Sequence, residues 1–318
     1  MAAAADVPFT PDLHLRLLLS IDRGHNVQRA VRAAVAPGAR VLDAGTGSGL
    51  LAMIAAGAGA GHVVAVDRHH VTLARTVAAH NGLADRITFH EADLAALGPA
   101  DLGGRFDVLI AMIHTNHPLI DEERSRLVLD LRHRFGTPDC VVIPGEVRYQ
   151  ATGCERLDWD LATELTDLDQ AGEALRGAYG RDFGPLVDAV RHGVAMRGAR
   201  PAKAVAHAWR SPTRSGALRF PRGDVRLLTA AHDWVSFDYQ AATFPGFPDE
   251  VRLVATTAGR LTGVIWTQQL RYAGQPLWTS ESYSPLATAR LVDEGQEVTL
   301  LTGDRWRATN ILSHHQPT

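Results

Sequence analysis

Apolar runs that end in acidic or glycine-rich segments recur along the first 145 residues. Residues 41–42 lead into Asp43 and three alternate glycines, and a segment rich in Ala, Leu, Met and Ile follows over roughly 49–60. Residues 62–66 have the pattern of a buried strand, as do 87–90 and 106–111. Buried strands that alternate with helices predict an α/β fold with a doubly wound, Rossmann-like parallel sheet.

The pattern changes after residue 145, where strand-like runs are separated by turn residues. An antiparallel, barrel-like β domain is the predicted result, with strands at 146–152, 224–229, 234–239, 251–256, 263–272, 297–301 and 306–311. Residues of about 160–209 interrupt them with a helical insertion rich in Ala, Leu and Arg. A packing appendage and a dimerisation arm or substrate cover are equally good interpretations of this insertion.

These patterns divide the chain into three parts: an N-terminal helical segment over 1–37, an α/β domain over 38–145 and a β domain over 146–318. In the first part, residues 10–35 read as helical. A length of 318 residues fits about two domains.

Composition excludes several classes of protein. The chain is 46% hydrophobic and 21% charged with a net charge of −3, so nothing favours a nucleic-acid or membrane surface. The start of the chain lacks the basic and apolar regions of a signal peptide. Cys140 and Cys154 are not spaced as a metal or redox motif, and two stray thiols suit a reducing cytoplasm. We therefore expect a cytoplasmic protein.

The glycine-rich segment has the spacing G-x-G-x-G, at Gly45, Gly47 and Gly49. Glycines suit this turn because it needs unusual backbone angles and because a Cβ would block a ligand from the backbone. With Asp43 before it and Thr46 within it, the segment resembles the S-adenosylmethionine (SAM) loop of class I methyltransferases. The resemblance implies that SAM is the cofactor and that these five residues bind it.

Acidic residues at the ends of two predicted strands also fit a SAM site. Asp67 ends the second strand pattern, 22 residues after Gly45, where an acid can accept hydrogen bonds from a ribose diol. Asp93 follows the third strand pattern, where a carboxylate can meet the adenine amino group.

The order of the domains, and several local motifs, resemble the protein arginine methyltransferases. Residues 14–23 are similar to that family's H-x-x-M-L-x-D-x-x-R helix, which implies that Arg23 pairs with the SAM carboxylate and that His14 lies near the reaction centre. Residues 134–149 look like the family's crossing between domains. Residues 264–268 resemble its Thr-His-Trp loop, which implies that Trp266 lies beside the acceptor pocket.

The loop after the fourth strand departs from the family. There, two glutamates grip a guanidinium, whose planar donor fork suits a pair of carboxylates. Here Met112 holds the first glutamate's position, and the second aligns with Asp121 without a gap or with Glu122 after one insertion. Ile265 replaces the histidine of the Thr-His-Trp loop. We therefore expect that the paired clamp on a peptidyl arginine is not intact.

Other polar residues take the clamp's place. We predict that Glu122 orients the acceptor and that His114 accepts its proton, in preference to His117, which Pro118 constrains. Met112, Asn116, Asp121, Glu123 and Trp266 complete the predicted acceptor contacts. Only His114 and His117 are close in sequence and no third ligand is fixed, so we expect no metal site.

These inferences predict a SAM-dependent methyltransferase that acts on a nitrogen of a small molecule or unusual peptide, in specialised metabolism. Free arginine or another guanidine stays open as the acceptor. Two alternatives remain: a protein N-methyltransferase with a rewired pocket, and a catalytically silent SAM-binding scaffold subunit. The expected partners are the acceptor and a second copy of the chain through the helical insertion, with no nucleic acid and no membrane.

Overall fold

The structure, a computed structural model, describes residue 14 and residues 17–115, 118–157 and 225–302. It also describes the pairs 217–218 and 313–314 and a few positions between 169 and 184. The strand expected at 306–311 and most of the helical insertion lie outside these residues. No helix among them is long and apolar enough to cross a membrane.

The first half of the chain forms a five-stranded parallel sheet of order β3-β2-β1-β4-β5. Its strands are β1 (Arg40–Ala44), β2 (His62–Asp67), β3 (Ile87–Glu91), β4 (Phe106–Ile110) and β5 (Gly136–Ile143). The helices are α1 (Ile21–Ala34), α2 (Leu50–Gly57), α3 (Val71–His80) and α4 (Pro118–Phe135), with 3₁₀ turns at Ala84–Arg86, Leu94–Ala96 and Pro99–Leu102. This confirms the predicted doubly wound sheet.

Both faces of this sheet are buried, which explains why its strands read as continuous apolar runs. Val41 and Val63 belong to the core that α1, α2 and α3 cover. Their neighbours Leu42 and Val64 belong to the core on the other face, with Val128 of α4. Each fully buried Val or Leu contributes about 1.5–3 kcal/mol. The sheet is therefore a rigid base for the loops at the carboxyl ends of its strands.

The second half of the chain is mainly antiparallel, as predicted. Its strands are β6 (Glu146–Arg156), β7 (Ala217–Leu218), β8 (Val225–Leu227), β9 (His232–Asp238), β10 (Glu250–Val254), β11 (Gly259–Tyr272), β12 (Gln275–Val292), β13 (Glu297–Leu301) and β14 (Ser313–His314). One sheet has the order β7-β12-β11-β6-β8, with β9 also paired to β6. The other has the order β10-β13-β14.

Strand β12 is the element that the sequence pattern missed. It pairs with β11 along nearly its whole length, but its inward positions include the buried residues Ser280 and Ser284. Ser280 donates to Gln268 at 3.2 Å, and Ser284 accepts from the Trp266 indole at 2.9 Å. At these buried positions, serine hydroxyls that form hydrogen bonds stand where a strand usually has apolar side chains. The alternation of apolar and polar residues that predicts a strand is therefore absent from the sequence.

Strand β12 also returns to the N-terminal helix. Leu277 belongs to the core beneath α1, and the Asn26 amide donates to the Leu277 carbonyl at 3.5 Å. Helix α1 begins at Ile21, and residues 17–19 are also helical, so the described part of the predicted 10–35 helix agrees with the expectation. The first part of that prediction lies outside the described residues.

Candidate active site

A cavity of about 400 Å³ lies at the carboxyl ends of the parallel strands, where ligands of doubly wound sheets bind. Its walls come from the loop after β1, from the segments that follow β2, β3 and β4, and from α1 and α4. Eight of the predicted site residues line it: His14, Arg23, Gly45, Thr46, Gly47, Asp67, Asp93 and Met112.

The loop after β1 is shaped by its glycines. Gly45, Gly47 and Gly49 have φ values of +79°, +53° and +81°, a region that other residues avoid. A Cβ on Gly47 would lie 2.6 Å from a carbon of the His14 ring, and one on Gly45 would lie 2.6 Å from Ile113 Cγ2. Gly49 instead faces Ala74 of α3 and does not line the cavity. The glycines therefore leave room for Ile113, His14 and Ala74 to pack closely against the loop.

Asp43 lies behind the loop, which corrects the prediction that it contacts the cofactor. Its side chain is buried, and one carboxylate oxygen accepts from the Thr46 hydroxyl at 2.6 Å and from the Ala52 N–H at 3.0 Å. Burial raises the pKa of Asp43 to about 7, against the opposing effect of these two hydrogen bonds. Asp43 ties the loop to the start of α2.

Asp67 and Asp93 both line the cavity. The Gly47 N–H donates to one oxygen of Asp67 at 2.8 Å, and the His69 N–H donates to the other at 3.3 Å. Asp93 accepts from the Ala95 N–H at 2.9 Å, which caps the 3₁₀ turn after β3. Both carboxylates are therefore held in position by backbone amides at the cavity wall.

Arg23 is a largely enclosed cation at the opposite wall. Its guanidinium lies over the ring of Trp278, 5.4 Å from the centroid. Within the described part of the chain it has no hydrogen bond and no ion pair. Burial lowers the pKa of Arg23 to about 10, so it stays charged at neutral pH. An enclosed cation without an acidic partner is unfavourable unless a ligand supplies the anion.

His14 lies beside the glycine loop, close to Gly47, and its predicted place near the reaction centre stays a prediction. Its ring meets that of His70 edge to face, with centroids 6.5 Å apart. The pKa of His14 is lowered, mainly because burial disfavours the charged ring and also because His70 is near, while Asp67 opposes the shift. Neutral His14 therefore forms part of the cavity wall at pH 7.

His114 has an environment that does not suit the proton acceptor that we predicted. Its Nε2 bonds to the Tyr239 hydroxyl, which lies 3.0 Å from the Ser125 hydroxyl. Burial, and then the charge of Arg124, lower the pKa of His114 to about 3. A group with this pKa is a weak base at neutral pH, and His114 does not line the cavity. Asn116 and His117 lie outside the described residues.

Asp121 is bonded to the protein rather than open to a substrate. One oxygen accepts from the Thr115 N–H at 2.6 Å and from the Thr115 hydroxyl at 3.0 Å. The other accepts from the Tyr149 hydroxyl and the Gln268 amide. Burial raises the pKa of Asp121 to about 6. With four donors around a fully buried carboxylate, no lone pair remains for a guanidinium, which corrects its predicted role in acceptor binding.

The other predicted acceptor contacts also lie away from the cavity. Glu122 is 9% exposed and points towards Gly246 and Arg126, whose guanidinium is 3.7 Å away. Glu123 is exposed. Trp266 is fully buried in the core of the β sheets, where its ring packs on Trp234 with centroids 4.8 Å apart. Their positions do not support the roles that we predicted for them.

Arg124 and Trp278 were not among the residues predicted from the sequence. Arg124 lines the cavity together with Leu127, one helical turn further along α4. Their i, i+3 spacing could have suggested that the two residues share one face of this helix. Trp278 reaches Arg23 from a hairpin more than 250 residues away, and no local signal indicates it.

A parallel sheet with a glycine loop after β1 and carboxylates after β2 and β3 is the arrangement that the sequence resemblance to class I methyltransferases implies. Added antiparallel sheets give the architecture of the protein arginine methyltransferases. The chain therefore contains a methyltransferase domain over residues 41–135, and its fold is similar to that of arginine methyltransferase structures.

Comparisons with known proteins agree with this class. A family profile for the methyltransferase domain matches residues 41–135. The arginine N(omega)-methyltransferase of Streptomyces achromogenes is 37% identical over 141 residues, 43% of this chain and 39% of that protein. A ribosomal protein arginine N-methyltransferase of Schizosaccharomyces pombe is 33% identical over 50% of this chain and 28% of its own length. The matches thus span less than two fifths of these relatives.

Solved structures extend the likeness of fold over most of the chain. The PRMT1 enzyme of Trypanosoma brucei, in an enzyme–prozyme heterotetrameric complex with AdoHcy, has a TM-score of 0.62 at 18% identity. The match covers 91% of this chain and 86% of that one. Protein arginine methyltransferase 10 of Arabidopsis thaliana has a TM-score of 0.61 at 18% identity, with coverages of 92% and 88%.

The cavity fits the cofactor that this class implies. Gly45 and Gly47 line the cavity with backbone alone, and a Cβ on either would displace Ile113 or His14. Asp67 and Asp93 are acceptors suited to a ribose diol and an adenine amino group. Arg23 supplies a cation for a carboxylate. These residues therefore fit the ribose, the adenine and the carboxylate of SAM in chemical type.

Proposed function

We propose that the chain is a SAM-dependent N-methyltransferase whose acceptor is a small molecule. The observation that carries this proposal is that Arg23, Asp67, Asp93 and the glycine loop converge on one cavity that also reaches Met112, after β4. When bound, SAM supplies an electrophilic methyl group. The chain positions the acceptor nitrogen, whose lone pair forms the new N–C bond as the C–S bond breaks.

The proton that the acceptor nitrogen loses is not taken up by His114, the base predicted from the sequence, because His114 does not line the cavity. His114 is bonded to Tyr239 and has a lowered pKa. Placement of the lone pair in line with the methyl group can supply much of the rate for this chemistry. We therefore propose that the proton leaves to solvent.

The altered clamp supports a small acceptor over a peptidyl arginine. Met112 cannot pair with a guanidinium, and Asp121 already accepts four hydrogen bonds. Free arginine or another guanidine remains within the proposal, since the Streptomyces relative is named an arginine N(omega)-methyltransferase. We also propose that the reaction belongs to specialised metabolism.

The test is a methyl-transfer assay with isotope-labelled SAM and two sets of acceptors, small nitrogen compounds and arginine-rich peptides. We expect label in a small compound and little or none in the peptides. Robust labelling of the peptides at ordinary enzyme levels would favour a protein N-methyltransferase, the alternative that the fold supports. Saturable SAM binding without transfer to any acceptor would favour the scaffold alternative.

Two further expectations stay as proposals. The chain is proposed to act in the cytoplasm, in keeping with two buried cysteines that form no disulfide among the described residues. It is proposed to form a homodimer through the insertion at about 160–209. The Trypanosoma brucei enzyme of similar fold is described in a heterotetrameric complex. Sedimentation of the purified chain measures its oligomeric state.

A further inference from the structure

Arg124 is a cation in the cavity wall for which the cofactor offers no partner. It is half-buried on α4 and lines the cavity beside Met112, Ile113 and Leu127. It makes no hydrogen bond and no ion pair with any residue that the structure describes. An arginine enclosed in this way is normally paired, because a guanidinium that loses water needs acceptors.

The groups of SAM are matched by other residues under the proposed function. Arg23 suits the carboxylate of the cofactor, and Asp67 and Asp93 suit its ribose and adenine. Arg68, which also lines the cavity, is exposed to solvent. Arg124 is therefore the enclosed positive charge that remains after the cofactor's own groups have been assigned.

Arg124 lies near the loop after β4, where we expect the acceptor to bind. It projects from the helix that follows the loop after β4, and its charge acts on both His114 and Asp121. Neither of them gives Arg124 a hydrogen bond: His114 is uncharged, and Asp121, although its charge attracts Arg124, already accepts from four other donors. Met112 stands where the related enzymes have a carboxylate. This wall is thus apolar with one positive charge.

Such a wall is suited to an anion rather than a second cation. A cationic acceptor head would meet both Arg124 and the positive sulfur of the cofactor, in a site where charges are poorly screened. A carboxylate would offset both charges and could accept two parallel hydrogen bonds from the guanidinium.

We propose that the methyl acceptor carries a carboxylate and that Arg124 binds it, which makes Arg124 a determinant of substrate specificity. This inference rests on the proposed function and names the class of its substrate: an amino acid or another nitrogen compound that also bears a carboxylate. The acceptor nitrogen and the carboxylate then lie on one small molecule.

Matched pairs of compounds test this inference. L-arginine and agmatine share a guanidine, and L-histidine and histamine share an imidazole, but only the first of each pair has a carboxylate. With the wild-type chain and labelled SAM, we expect at least tenfold more label in an acid than in its decarboxylated partner. Arg124→Met should lower kcat/KM for the acid at least tenfold, mainly through KM, and leave the affinity for SAM within about twofold.

Arg126→Met is the matched control, since Arg126 lies on the same helix with its guanidinium over Phe244, outside the cavity. It should keep the preference for acids. Equal or greater labelling of the decarboxylated partners would overturn the inference while the proposed function stands. A parallel loss of SAM affinity in Arg124→Met would also overturn it, because Arg124 would then serve the cofactor.

A binding measurement covers the case in which no compound is labelled. Chain saturated with S-adenosylhomocysteine is titrated with the same acids and amines, and the guanidinium nitrogen signals of Arg124 are followed by NMR. Shifts with the acids alone support the inference, and the absence of any shift with the acids contradicts it. Failure of SAM itself to bind would instead contradict the proposed function.

Discussion

At the scale of single residues, the cofactor end of the cavity depends on one arginine and the aromatic ring that holds it. Arg23 has no acidic partner among the described residues, and the Trp278 ring beneath its guanidinium fixes its place. A cation over an indole face is stabilised by about 0.5–2 kcal/mol. We therefore propose that Trp278 is a positioning residue that acts on the cofactor through Arg23.

This role predicts a selective effect of Trp278→Leu. We expect the affinity for S-adenosylhomocysteine to fall about fivefold, or about 1 kcal/mol. The affinity for 5′-methylthioadenosine, which lacks the carboxylate, should change by less than about twofold. Isothermal titration measures both, with Trp278→Phe as the variant that keeps an aromatic face. Equal losses for the two ligands would show that Trp278 only supports the fold.

His114 gives a second prediction at this scale. Its lowered pKa of about 3 and its bond to Tyr239 indicate a structural residue, uncharged between pH 5 and pH 8. His114→Phe should change the free energy of unfolding by no more than about 1 kcal/mol, because a lost hydrogen bond is offset by removal of a buried Nδ1. Turnover with a labelled acceptor should stay within a few-fold of wild type. A loss of about 100-fold at unchanged stability would restore His114 as the base.

At the scale of elements, the loop between β1 and α2 depends on the buried carboxyl group of Asp43. Its pKa of about 7 in the folded chain lies above the ordinary value of 3.8. The folded state thus binds the proton more tightly than the unfolded state does. The stability that this proton contributes is fully present below pH 3.8 and is lost as the pH rises towards 7.

Asp43→Asn removes this titration, because the amide stays neutral. Between pH 5 and pH 8 the wild-type chain should lose roughly 2 kcal/mol of unfolding free energy relative to the variant. Urea unfolding at the two pH values measures the difference. The exposed Asp139 of β5 offers the control, since Asp139→Asn should follow the wild-type pH dependence. Parallel stability of wild type and Asp43→Asn would contradict the raised pKa.

At the scale of the whole molecule, the β sheets fix the loop that follows β4. Tyr239 bonds to His114, and Tyr149 and Gln268 bond to Asp121. These contacts join residues that are 28 to 147 positions apart. The acidic residue that would grip a guanidinium is thereby converted into a structural link between the two halves of the chain.

The sequence could predict the parts of the site that are close together along the chain, but not the contacts between distant segments. The glycine loop, Asp67 and Asp93 are parts of consecutive strand–loop units, so their place at the cavity followed from local pattern. The environments of Asp121 and Trp266 depend on which strands pair and which face is covered. Alternation within one strand does not contain that information. The link between Trp278 and Arg23 depends on β12, which lacks the apolar alternation of a strand.

The cofactor cavity itself is tested most directly by isothermal titration of SAM into the wild-type chain and into Gly47→Val. Gly57→Ala is the control, since a Cβ at that helical position meets nothing within 4 Å. We predict saturable binding of one SAM per wild-type chain, retained in Gly57→Ala and weakened at least tenfold, about 1.4 kcal/mol, in folded Gly47→Val. Absence of binding to the folded wild type, or unchanged affinity in folded Gly47→Val, would contradict the assignment of this cavity to SAM.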